Sequence, residues 1–64
     1  MVNQNWIEDK ISKYEAERLL GNWSRKKEKQ LQYLLNIYKT GRFLSVSYNQ
    51  INAELNNIYT KINK

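Results

Sequence analysis

Residues 24–40, SRKKEKQLQYLLNIYKT, carry the pattern that decides the fold of this chain. Apolar side chains recur in this stretch at intervals of three and four residues, on one face of an α-helix: Leu31, Leu34, Leu35 and Tyr38. At roughly 100° per residue, the opposite face collects polar and basic side chains: Arg25, Lys29, Gln32, Asn36 and Lys39. One amphipathic helix therefore carries both the best core-facing stripe and the densest positive charge of the chain.

Short signals at both ends of this stretch delimit the helix. Ser24 has the side-chain oxygen that favours an N-cap position. Gly21 and Gly41 each follow a helical pattern, and glycine readily adopts the left-handed conformation that closes a helix. These glycines divide the chain into three segments of similar length. We therefore expect an all-α domain of three helices, at roughly 5–20, 24–40 and 47–63.

Apolar residues on a second side of the central helix indicate that it has more than one neighbour. Tyr33 and Ile37 lie beside the main stripe rather than within it. A helix that is apolar on more than one side packs against more than one element. In a three-helix domain these neighbours are the first and third helices, whereas in a homodimer one of them is a second copy of the chain. Both alternatives stay open.

The first segment has the least regular pattern. Ile7, Ile11 and Tyr14 share a helix face, while Leu19 and Leu20 are rotated away from it. One interpretation is a single helix with an N-cap residue and a capping-box glutamate, namely Asn5 and Glu8. The other interpretation starts a second helix at residue 12, with the glutamate at position 15 completing its capping box. We prefer the single helix, because no residue between the two starts forces a break.

The last segment has the clearest helix start. Ser47 and Gln50 have the spacing of a capping box. The apolar residues that follow alternate spacings of three and four, as in the seam of a short coiled coil: Tyr48, Ile51, Leu55, Ile58 and Ile62. The other side is rich in amides, which form either a solvated surface or a polar recognition surface: Asn49, Asn52, Asn56, Asn57 and Asn63. The seam can dock on the central helix or form a short contact between two chains.

The connection between the second and third helices is unusually apolar. Phe43, Leu44 and Val46 are expected to tuck under the helices rather than face solvent. A short extended piece at this point would have no partner strand within the chain.

Composition bounds the domain organisation and excludes most catalytic chemistry. Sixty-four residues form a single domain, residues 1–64, with a small core and marginal stability. The chain has no cysteine and no histidine, which excludes disulfides, the common zinc sites and a hydrolytic triad. It also lacks a glycine-rich phosphate loop. We therefore expect no enzymatic activity, no cofactor and no metal.

Two further features concern location and origin. No apolar run approaches the roughly 20 residues that span a bilayer, and the first residues lack the basic and apolar regions of a signal peptide. We therefore expect a cytoplasmic protein without a membrane partner. The abundance of Asn, Lys, Ile and Tyr is typical of AT-rich coding sequence. This composition suggests a low-GC bacterium, or one of its phages or plasmids.

The net charge of +5 is concentrated in the middle of the chain. Residues 18–42 contain seven basic residues against Glu28 alone, whereas residues 1–17 are net acidic. Clustered positive charge favours a polyanionic partner, preferably duplex DNA, or an acidic protein surface. The residues expected to contact nucleic acid are Arg18, Trp23, Arg25, Lys26, Lys27, Lys29, Lys39 and Arg42.

The basic run at residues 25–27 is unusual because it occupies the first turn of a helix, where the helix dipole disfavours cations. Either this run binds an anion, or the acidic first segment packs nearby and neutralises it. Trp23, directly before the helix, could stack on a base or fill the core, and Trp6 could cover one end of the core. We favour a core position for both tryptophans.

Two stretches resemble a helix-turn-helix in spacing. The first is residues 48–62, although Asn52 and Asn57 stand where that motif has a small and an apolar residue. The second is residues 15–21, followed by the helix at 24–40 as the reading helix. That arrangement would place the basic helix in a DNA groove.

The leading hypothesis is a small basic helical protein that binds nucleic acid and has a regulatory role. The alternative is a protein-interaction module that inhibits or adapts a larger host protein. Its motivation is a surplus of aromatic residues for so small a core, since exposed tyrosine and tryptophan often anchor interfaces. These residues are Trp6, Tyr14, Trp23, Tyr33, Tyr38, Phe43, Tyr48 and Tyr59.

Overall fold

A computed structural model describes the backbone of residues 2–62 and the side chains of residues 2–61. Within this range it contains the helices α1 (Gln4–Leu19), α2 (Arg25–Lys39) and α3 (Tyr48–Ile62), a short 3-10 helix at Arg42–Ser45, and no strand. The predicted all-α fold of three helices is thereby confirmed. Residue 63, the predicted end of the third helix, and the side chain of Ile62 lie outside the described residues.

The first two helices form an antiparallel pair. Near the end of α1, the Glu17 carboxylate lies 2.7 Å from the Lys27 ammonium group at the start of α2. Near the start of α1, Glu8 accepts a hydrogen bond from the Tyr38 hydroxyl at the end of α2. These contacts hold the helices side by side along most of their length. Residues 15–40 therefore form an αα-hairpin, and the interpretation as a helix-turn-helix, with helices crossing steeply, is wrong for this stretch.

The third helix packs on another side of α2. The side chain of Gln30, buried in the middle of α2, donates a hydrogen bond of 2.9 Å to the backbone carbonyl of Leu55. At its start, α3 places the Tyr48 ring edge-on against Trp6, with centroids 4.8 Å apart. Because α3 continues without a turn from residue 48 to 62, the other helix-turn-helix interpretation is also wrong.

The core lies between α2 and the two other helices. Its buried residues are Val2, Ile7, Ile11, Leu31, Leu34, Ile37, Phe43, Ile51 and Leu55. The expected stripe on α2 is confirmed for Leu31 and Leu34, while Leu35 and Tyr38 are only half-buried. Ile37, which we placed beside the stripe, is 1% exposed because α2 is covered from two sides. Burial of Ile51 and Leu55 shows that the seam of α3 is used within the chain.

Helix α1 is a single helix, as preferred, but its cap differs from the expected one. The N-cap is Asn3, whose side-chain oxygen accepts a hydrogen bond of 2.7 Å from the backbone N–H of Asn5. The backbone N–H of Asn3 itself donates to the Tyr48 hydroxyl at 3.0 Å. The expected capping box of Asn5 and Glu8 is therefore wrong, since Asn5 already lies inside the helix.

The predicted starts of α2 and α3 and the two predicted closing glycines are confirmed. Ser24 caps α2 by accepting from the backbone N–H of Lys27, and Ser47 and Gln50 exchange the two hydrogen bonds of a capping box at 2.9 and 3.1 Å. Gly21 and Gly41 have φ angles of 83° and 74°, in the left-handed region that glycine adopts without steric cost. Local chemistry thus decides where α2 begins and ends and where α3 begins.

The apolar connection between α2 and α3 is only partly covered. Phe43 is buried and stacks on Tyr38, with ring centroids 6.0 Å apart, and Val46 is half-buried. Leu44, however, is 55% exposed, so the expectation that it tucks under the helices is wrong. A 3-10 helix has three residues per turn, so it turns Phe43 inward and its neighbour Leu44 outward.

Candidate nucleic-acid interface

The outer face of α2, defined here as Arg25, Lys29, Gln32, Asn36 and Lys39, is exposed along the whole helix. Because α1 and α3 both pack on the other sides of α2, this face forms a ridge on the molecule. At 1.5 Å per residue, it extends about 21 Å from residue 25 to residue 39. The opposition of basic and apolar faces expected from the sequence is therefore present in the fold.

The basic groups of the outer face are available to a ligand. None of the ion pairs within residues 2–61 involves Arg25, Lys29 or Lys39. Arg42 extends the face beyond the end of α2, where its guanidinium donates to the Asn36 side-chain oxygen at 3.5 Å. The four cations thus lie along one line on the ridge, with the amides of Gln32 and Asn36 between them.

Trp23 and Arg18 border the outer face at the start of α2. The indole N–H of Trp23 donates to Glu28 at 3.0 Å, and the Arg18 guanidinium lies 5.9 Å from the centre of the indole ring. Trp23 is half-buried and meets Tyr14 edge-on at 6.3 Å. The indole therefore packs against the core and also supports Arg18 beside the ridge.

Glu28 is the only acid of α2, and its partners hold it in the ionised form. Hydrogen bonds from Gln32, at 2.8 Å, and from Trp23 lower the pKa of its carboxyl group. The positive charges of Arg18 and Lys29 lower this pKa further. Glu28 thus reduces the positive potential at one flank of the ridge and anchors both Trp23 and Gln32.

Lys26 and Lys27 point away from the outer face. The Lys26 ammonium lies 4.1 Å from the centre of the Tyr59 ring of α3. Lys27 pairs with Glu17 of α1 and also donates to the backbone carbonyl of Asn22 at 3.2 Å. Consecutive helical residues are rotated by about 100°, so the basic run is divided between three directions.

The predicted contact residues therefore fall into two groups. Six of them lie on or beside the outer face of α2: Arg18, Trp23, Arg25, Lys29, Lys39 and Arg42. The other two, Lys26 and Lys27, contact α3 and α1. For Lys27, the neutralisation by the acidic first segment that we considered does occur, through Glu17.

A cleft of about 380 Å³ opens on the side of α2 opposite the outer face, between α1 and α3. At its floor, Gln30 accepts a hydrogen bond of 3.1 Å from the Tyr14 hydroxyl, whose pKa is raised by burial. Three lysines and one glutamate line the cleft, in the set Lys10, Lys13, Tyr14, Glu17, Lys27, Gln30 and Tyr59. Its charges are largely compensated, because Lys27 binds Glu17 and Lys13 binds Asp9 at 3.3 Å.

Four residues that our sequence-based site omits stand out in the fold. Gln32 and Asn36 share the outer face with the cations. Their helical spacing from Lys29 was the sequence signal that could have added them to the predicted contact residues. Leu19 and Leu20 are 88% and 83% exposed. Only their rotation away from the apolar face of α1 hinted at this exposure.

Two features of the described part of the chain concern other kinds of site. None of its helices combines the length and the apolar character needed to cross a bilayer. Among residues 2–61, no group of three or more acidic, cysteine or histidine side chains is arranged to hold a metal ion.

The candidate interface therefore consists of a ridge of cations and amides, supported by Trp23 and the three-helix core. Comparisons with protein-family models, with curated proteins and with solved structures yield no match to this chain.

Proposed function

We propose that this protein is a small non-enzymatic regulatory factor that binds nucleic acid, duplex DNA in the first place, through the outer face of α2. The observation that supports this proposal is the line of four cations from Arg25 to Arg42, none of which has an ion-pair partner within residues 2–61. Such cations can replace the counterions that surround a DNA backbone, and their release favours binding.

The spacing of the cations suits a phosphate backbone. Each DNA strand carries one phosphate for about every 3.4 Å of the duplex axis, so a ridge of about 21 Å can span several phosphates. The side chains of arginine and lysine are long enough to adjust to the exact positions. Contacts of this kind position a protein on DNA and supply affinity without choice of sequence.

A salt titration tests the proposal. We expect a fluorescently labelled duplex to bind at low salt, with a slope of log affinity against log salt of about −3.6 for four phosphate contacts. Affinity then falls by roughly 10²-fold between about 50 and 200 mM salt. Fluorescence anisotropy measures both quantities. Absence of binding at low salt, or an affinity insensitive to salt, contradicts the proposal.

A second candidate function, a protein-interaction module, is favoured by Leu19 and Leu20 rather than by the aromatic residues. Six of the eight aromatic side chains are buried or half-buried, and the exposed Tyr48 and Tyr59 contact Trp6 and Lys26. The two leucines, in contrast, project from the end of α1. Backbone hydrogen bonds from Gly21 and Asn22, at 3.1 and 3.0 Å, close this end in a Schellman motif and hold the leucines in place.

The partner suited to this second function is an acidic protein with an apolar pocket. Arg18 precedes the leucines and Arg25 follows the loop after them, so basic residues flank the apolar pair in sequence.

We expect replacement of both leucines by serine to abolish capture of such a partner from nuclease-treated lysate while leaving DNA binding intact. Affinity capture followed by mass spectrometry measures this. If the double variant captures the partner equally well, the leucines are not its binding site. A measurement of native mass shows whether the leucines instead contact a second copy of the chain.

A further inference from the structure

We propose that α2 lies in the major groove of DNA and that Gln32 and Asn36 recognise base edges there, with a preference for adenine. This inference rests on the proposed DNA-binding function and adds a sequence preference to it. The cations of the outer face would supply affinity. The two amides between them would select the site.

The position of the two amides carries the inference. Gln32 and Asn36 are exposed and four residues apart, which puts them one turn apart on the outer face. Arg25 and Lys29 lie toward the start of the helix, and Lys39 lies toward its end. If the flanking cations contact the phosphate backbones, the central amides face the groove between those backbones.

The ridge shape of α2 permits this docking. An α-helix with its side chains is about 10–12 Å across, and the major groove is about 12 Å wide. Since α1 and α3 lie behind α2, neither covers the outer face. The helical pitch of about 5.4 Å separates Gln32 and Asn36 by one to two base-pair steps of about 3.4 Å. Neighbouring base pairs are thus within reach of both side chains.

The chemistry of the amides selects adenine. A carboxamide can donate to N7 and accept from the N6 amino group of adenine, a pattern that no other base offers in the major groove. Gln32 uses one N–H for its bond to Glu28, which leaves its other N–H and its oxygen. The Asn36 oxygen receives only a long bond of 3.5 Å from Arg42. Both side chains therefore retain groups for a base.

The placement of Asn36 is costly for the helix, which also calls for an explanation. Asparagine is a poor helix former in a helix interior, and here it caps no helix end. The amide-rich side of α3 offers a contrast, because the described part of that helix carries one basic residue, Lys61, and one acidic residue, Glu54, instead of a line of cations. An exposed asparagine of α3, such as Asn52, therefore serves as a matched control.

Selection from a pool of random duplexes tests the inference. We expect the wild-type protein to enrich sites containing A·T pairs at about two adjacent positions, with a wrong pair lowering affinity roughly 5- to 150-fold. Asn36→Ala and Gln32→Ala should each abolish preference at one position and keep the salt slope. Asn52→Ala should change neither property.

A modified base makes the test specific to the proposed contact. Replacing the selected adenine by 7-deazaadenine removes the N7 acceptor without changing base pairing. We expect this duplex to bind the wild type more weakly and to bind one of the two alanine variants unchanged. A base preference that survives both alanine substitutions, or a preference for G·C pairs, overturns the inference.

The outcomes also separate this inference from the proposed function. Strong, salt-dependent binding without any enriched sequence overturns base recognition and leaves the DNA-binding proposal standing. Absence of binding to every duplex at low salt overturns both.

Discussion

Replacement of Arg25, Lys29 and Lys39 together by glutamine is expected to reduce affinity for duplex DNA by roughly 10²- to 10³-fold at about 0.1 M salt. The reason is that each lost phosphate contact removes about one released counterion, so the slope against log salt should decrease by about three. Anisotropy titrations at several salt concentrations measure both effects. The three side chains are exposed, so folding stability should change by no more than about 0.5 kcal/mol.

A charge-matched variant provides the control for this result. Replacing Lys10, Lys13 and Lys61 by glutamine changes the net charge by the same amount but leaves the outer face intact. At about 0.1 M salt the Debye length is about 10 Å, so these distant charges should alter affinity only a few-fold. If both triple variants lose affinity equally, the protein binds through its overall charge and the outer face has no special role.

Leu34→Ala is expected to have one of the largest effects on stability of any single leucine substitution. Leu34 is 0% exposed and lies in the central helix, against which both other helices pack. Leucine-to-alanine changes at such sites cost about 2–5 kcal/mol, because apolar contacts are lost and a cavity remains. A domain of this size has a total stability of only about 3–10 kcal/mol. The variant should therefore unfold at a much lower urea concentration, with a melting temperature lower by about 10–30 °C.

The same substitution at Leu19 is the natural comparison. Leu19 is 88% exposed, and alanine is as good a helix former as leucine. The free energy of unfolding of the Leu19→Ala variant should stay within about 0.5 kcal/mol of that of the wild type. Urea denaturation followed by circular dichroism measures both variants. A large loss for Leu19→Ala that depends on protein concentration would show that this residue is buried between two copies of the chain.

Much of the helical architecture could be predicted from local chemistry. Ser24 and the Ser47–Gln50 pair are strong caps whose hydrogen bonds need no distant partner, and both starts are as expected. The start of α1 could not be predicted in this way, because Asn3 and Asn5 are equally suitable caps. Burial of Val2 and the hydrogen bond from Asn3 to the Tyr48 hydroxyl favour the earlier residue. Both of those contacts depend on the packing of distant parts of the chain.

The candidate interface shows a similar division. Helical periodicity was sufficient to place Arg25, Lys29 and Lys39 on one exposed face, because their spacing alone puts them opposite the apolar stripe. The destinations of Lys26 and Lys27 depended on what packs at each flank of α2. Lys26 contacts an aromatic ring of α3, and Lys27 pairs with a carboxylate of α1. No spacing within residues 24–40 contains that information.

By itself, the sequence determined that the chain forms three helices, where two of them start, and which side of the central helix is basic. These properties follow from interactions between residues a few positions apart, which do not depend on how the helices pack together. Tertiary structure alone decided that α2 is covered from two sides, that Leu19 and Leu20 remain outside the core, and that the cations divide between a ridge and a cleft. These properties depend on the relative placement of whole helices, to which residues far apart in sequence contribute together.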